Sequence, residues 1–165
     1  MKKLYIIGGT MGVGKTSTCQ VIKNKLNNCV FLDGDWCWDM HPFQVTEETK
    51  TMVIQNICFL LNNFIKCSAY EFIVFGWVMH QQEIIDTIVS NLDTRDWKVY
   101  SISLICNEKA LLSRLQKDIH NGIRVEEGIQ KSMERLPQYA LLNTIKVDVS
   151  DITPEQAADI IIRSC

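Results

Sequence analysis

Short, mostly apolar runs alternate along this chain with longer stretches in which apolar residues recur every three or four positions. Runs of the first kind, at Leu4 to Ile7, Cys29 to Leu32, Phe72 to Phe75, Val99 to Ile105 and Ile145 to Val149, have strand length, with Ser101 and Ser103 the polar members of the fourth. Between them, helical spacing covers Lys15 to Asn28, Thr46 to Lys66, Gln81 to Leu92, Glu108 to Ile119, Glu126 to Leu136 and a last segment after Thr153. Thr46 precedes two acids and Thr153 precedes Pro154 and Glu155, both patterns of a capped helix start. Pro137 is expected to end or kink the fifth helix.

The order βαβαβαβααβα, with mostly apolar strands each followed by a helix, predicts a parallel sheet covered by helices on each side. Ligands of such sheets bind beyond the carboxyl ends of the strands. The residues that follow each strand therefore come first.

After the first strand stands Gly9-Thr10-Met11-Gly12-Val13-Gly14-Lys15-Thr16, a full match to G-x-x-x-x-G-K-[ST] with a strand before it and a helix behind. Glycines let successive backbone N–H groups turn inward on phosphate oxygens, and the helix start adds unpaired donors. Lys15 is expected at the β- and γ-phosphates of ATP, Thr16 on Mg2+, and Ser17 beside them in the first helical turn. The expected fold is a three-layer P-loop NTPase domain over residues 1–165, with a five-stranded parallel sheet.

No N-K-x-D guanine signature occupies a suitable loop, and the third strand runs into Gly76 where a motor or transport ATPase carries an acid. A chain of 165 residues is also short for a helicase or an AAA-type second domain. The second strand instead ends Asp33-Gly34-Asp35, two carboxylates on the sheet edge that carries the phosphate loop. A plain polar turn, with Asp33 capping the bend, is the alternative.

With the phosphate loop, this D-x-D and a later arginine-bearing segment, the sequence resembles the small-molecule and nucleotide kinases of the P-loop superfamily, such as shikimate kinase, gluconate kinase and chloramphenicol phosphotransferase. The resemblance implies that Asp35 accepts the proton of the attacking hydroxyl and that Asp33 holds Mg2+. It implies a short lid at about 117–128, in which Arg124 meets the phosphates, while Arg114 packs on the base. Arg135 lies further on, and the arginine set is thinner than is usual for such lids. Asp148 to Pro154 resembles the loop that wraps the adenine, or is a plain connection.

Trp36, Trp38 and Phe43 follow the D-x-D and offer flat surfaces for an acceptor; Trp77 and His80 follow the third strand on the same edge. Ordinary packing of these rings is the competing reading. No arginine lies within Trp36 to Phe43, which favours a neutral acceptor such as a nucleoside, a sugar or a hydroxylated natural product.

Composition adds little. The formal net charge of -2 argues against nucleic acid. No window is apolar enough for a membrane span, and the N-terminal apolar run is short for a signal peptide. Seven cysteines without a C-x-x-C pair suggest free thiols, with Cys37 the one inside the acceptor segment. A cytoplasmic monomer or homodimer is expected, acting on a small-molecule acceptor with ATP and Mg2+. The competing functions are a nucleotide-binding regulatory module without transfer, a nucleoside monophosphate kinase and a slow hydrolase.

Overall fold

The computed structural model describes residues 1–165. Five strands form one parallel sheet: β1 (Lys2–Gly8), β2 (Cys29–Asp33), β3 (Phe72–Trp77), β4 (Trp97–Ile105) and β5 (Ile145–Asp148). Their order is β2-β3-β1-β4-β5, so the strand that feeds the glycine-rich loop lies at the centre. Six α-helices complete the chain: α1 (Lys15–Lys25), α2 (Glu47–Lys66), α3 (Gln82–Ser90), α4 (Glu108–His120), α5 (Glu127–Arg135) and α6 (Pro154–Ser164). Every expected strand and helix is present, in the expected order.

The central position of β1 follows from its side chains. Leu4 and Ile6 enter one core, with residues of α2 and α3, while Tyr5 and Ile7 enter the other, with residues of α1, α4 and α6. All four are at most 1% exposed. Period-two alternation sends successive residues to opposite faces, and burying each of the three aliphatic side chains contributes about 1.5–3 kcal/mol. An acid at Ile6 would place an unpaired charge in the first core.

Element ends differ from expectation by a few residues. α1 stops at Lys25, and Asn28 takes a left-handed turn conformation (φ 55°) before β2. Pro137 does end α5, but the chain continues through Leu141 as a 3-10 segment that buries Tyr139. The Thr46 and Thr153 caps form, each within a reciprocal capping box. No helix is long and apolar enough to cross a membrane.

Candidate active site

β1 delivers the chain into the phosphate loop at the carboxyl edge of the sheet. A Cβ on Gly9 would lie 2.7 Å from Val13 Cγ1, and one on Gly12, whose φ is 86°, would lie 2.5 Å from Leu115 Cδ2. Gly14, at φ 105°, precedes α1 without a side-chain cap. The first N–H groups of α1 are therefore left for a ligand. Lys15 Nζ donates to the Thr10 carbonyl at 3.0 Å. Burial lowers the Lys15 pKa to about 8, against the opposing pull of Asp35.

The D-x-D lies beside this loop. Asp33 Oδ1 accepts the backbone N–H of Asp35 at 3.1 Å, so the residue does cap the bend, while its Oδ2 accepts the Thr16 hydroxyl at 3.0 Å. A hydroxyl and a carboxylate side by side suit a hard cation that keeps most of its waters and takes further oxygens from a phosphate. No group of three or more His, Cys, Asp or Glu surrounds a point in the protein. The pair therefore fits Mg2+ carried in with a nucleotide better than a metal held by the protein alone.

Asp35 Oδ1 accepts the indole N–H of Trp77 at 3.1 Å. The geometry needs Gly34, where a Cβ would stand 2.4 Å from Trp77 Cγ. Trp38 packs edge-on against both Trp77 and Phe43, with centroids 5.7 and 5.0 Å apart. Trp36 lies within the 3-10 turn Gly34–Cys37 and Trp38 directly after it. Trp36 turns to Phe31, edge-on at 5.3 Å, is 57% exposed and does not line the cavity. Cys37 is buried in the core.

One cavity of about 820 Å³ joins these groups: Lys15, Thr16, Asp33, Asp35, Trp38, Trp77 and His80 share its wall with Arg124. Arg124 donates to Asp118 Oδ2 at 2.9 Å and is close enough to Lys15 to disfavour its charge. Arg114 is elsewhere. Its guanidinium donates to the Val149 carbonyl, and at 3.4 Å to the carbonyls of Val13 and Ser150. It thus braces the phosphate loop against the loop after β5, the segment compared above to an adenine-wrapping loop.

Sequence reasoning missed what α5 brings. Lys131 and Arg135, four residues apart, both line the cavity. Buried Ser132 fastens the helix to the phosphate loop: its hydroxyl donates to the Met11 carbonyl at 2.5 Å, and its carbonyl accepts the Thr10 hydroxyl at 2.8 Å. A Cβ on Gly128 would meet Met11 Cε at 2.4 Å. The cavity is therefore not poor in cations, although 36–43 holds no arginine. The i, i+4 spacing was legible; which face of α5 meets the loop was not. A second groove of about 540 Å³, between α2 and α3, contains no carboxylate.

A central glycine-rich loop between β1 and α1, in a sheet ordered 2-3-1-4-5, defines a P-loop nucleotide-binding fold. The chain belongs to the AAA domain family, whose model matches residues 6–135. Among solved structures, the tunicamycin resistance protein of Deinococcus radiodurans is similar at TM-score 0.75 and 17% identity, covering 99% of this chain and 95% of that one. A gluconokinase from Sinorhizobium meliloti 1021 gives 0.68 and 18%, over 95% and 87%. Shikimate kinase from Aquifex aeolicus vf5 gives 0.61 and 15%, over 98% and 94%. At these identities the likeness is one of fold. No curated protein matches the sequence.

Proposed function

We propose that this protein transfers the γ-phosphoryl group of Mg-ATP to a hydroxyl of a small molecule. The observation that carries the reading is Asp35: a carboxylate outside the phosphate loop, lining the same cavity as Lys15 and Thr16, with one oxygen held by Trp77. A site built only to bind or sense nucleotide has no use for an oriented second carboxylate. In the proposed reaction the acceptor oxygen bonds to the γ-phosphorus, the bond from that phosphorus to the bridging oxygen breaks, and ADP leaves. The acceptor proton passes to Asp35.

Phosphoryl transfer is chiefly positioning and charge stabilisation. Lys15 and the N–H groups of the loop hold the phosphates, and Arg124 meets the charge that develops on the transferred group. Thr16 and Asp33 hold Mg2+, which neutralises phosphate charge. Trp38 and Trp77 supply flat apolar surface for the acceptor and exclude water from it. Arg114 supports the base-binding end.

ADP release from Mg-ATP, followed across nucleosides, nucleoside monophosphates, sugars and hydroxylated natural products, tests this. Turnover that depends on one acceptor and is abolished in Lys15→Ala and Asp35→Asn supports phosphotransfer. ATP binding without stimulation by any acceptor would instead favour a nucleotide-binding module, and turnover independent of acceptor a hydrolase.

A further inference from the structure

Apart from Lys50, which pairs with Glu47 at 2.8 Å, the cations of the cavity fall into two groups. Arg124 is the cation whose field reaches Lys15, at the phosphate loop. The fields of Arg135 and Lys131 reach His80, beyond the end of β3. The first group is already opposed by acids: Asp35 and Asp33 act on Lys15, and Asp118 pairs with Arg124.

The second group has no such partner. No carboxylate lies within 4.0 Å of Lys131 or Arg135, the four ion pairs of the protein all being elsewhere. The neighbouring acid on their helix, Glu134, instead accepts from Gln130 at 2.8 Å. Nδ1 of His80 is buried without a hydrogen-bond partner. Burial, Arg135 and Lys131 together lower the His80 pKa, which keeps the imidazole neutral beside two positive charges. Ser132, between the two cations, is fastened to the phosphate loop and holds them in place. Two cations that line the cavity with no carboxylate partner are the environment an anion completes.

We propose that the acceptor carries an anionic group, a carboxylate or a phosphate, which docks against Lys131, Arg135 and His80 while its hydroxyl meets Asp35. This deepens the phosphotransfer reading and rests on it for the hydroxyl. It replaces the neutral acceptor expected from the lack of arginine after the D-x-D.

Matched compounds test it: a sugar and its phosphate, a nucleoside and its monophosphate, a cyclic hydroxy acid and its methyl ester. Each is offered with Mg-ATP for ADP release, and with a non-hydrolysable ATP analogue for tryptophan-fluorescence titration. The expected result is an anionic member preferred over its neutral twin by about tenfold or more. Arg135→Gln and Lys131→Gln should each remove most of that preference and leave the KM for ATP within about twofold, since a hydrogen bond to a charged group is worth that order. The carboxylate and phosphate pairs tell the two anions apart. Equal use of both twins, a preference that survives both variants, or no binding by any anionic member overturns the proposal. Phosphotransfer would still stand wherever ADP formed. Binding of an anion that is lost in Arg135→Gln, with no ADP from any compound, keeps the anion site and removes phosphotransfer.

Discussion

The indole N–H of Trp77 donates to Asp35 Oδ1 at 3.1 Å, so the last residue of β3 orients the carboxylate that follows β2. One oxygen is occupied and the other is free to take a proton. Trp77→Phe keeps the ring and removes the donor. Turnover should fall about tenfold or more, the order expected for losing a hydrogen bond to a charged group, while the KM for ATP holds. Steady-state kinetics with both substrates varied checks this; an unchanged kcat would leave Trp77 a packing residue only.

Gly34→Ala should act on the same pair from the other side. Its Cβ would overlap the Trp77 ring at Cγ and Cδ1, 2.4 and 2.5 Å away, and the ring is hemmed in by Trp38. Overpacking of this kind costs about 1–3 kcal/mol. A lower melting temperature together with reduced turnover is expected.

Lys15 titrates near pH 8 in the free protein because burial opposes its charge. Nucleotide phosphates favour the charged form, so ATP binding should draw a proton onto Lys15, most evidently between pH 8 and 9. Calorimetry in buffers of different ionisation enthalpy should show net proton uptake there, and affinity should weaken as pH rises past 8. The linked effect on stability has a definite sign. The folded pKa lies below the unfolded value of about 10.5, so over pH 8–10.5 the unfolded chain binds more protons. Lys15 alone should therefore make the nucleotide-free protein more stable as pH rises through that window.

Ser132→Ala removes the hydroxyl that joins α5 to the Met11 carbonyl and meets the Thr10 hydroxyl at 3.0 Å. A stability loss of about 1–3 kcal/mol is expected, the penalty for leaving a buried polar group unmatched. Because α5 carries Lys131 and Arg135, the KM for the acceptor should rise as well. Thermal unfolding and acceptor titration measure the two effects separately.

How far the sequence by itself determined this protein depends on the range of each interaction. Apolar runs and helical spacing identified all five strands and six helices, because periodicity and capping are local. The phosphate loop was legible because its chemistry lies within eight consecutive residues, Gly9 to Thr16. The proximity of Asp33 to Thr16 was also foreseeable, since parallel strands place the residues after them along one edge. Tertiary structure decided the rest. A single 3-10 turn sends Trp36 to Phe31 and Trp38 to Trp77, a difference that composition cannot register. Trp77 was expected at the acceptor, yet its N–H is engaged by Asp35 across neighbouring strands. Lys131 and Arg135 belong to the cavity only because Ser132 fastens α5 against the phosphate loop, more than 120 residues earlier in the chain. Spacing along a helix states which side chains share a face. The surface that face meets is settled by packing between distant segments.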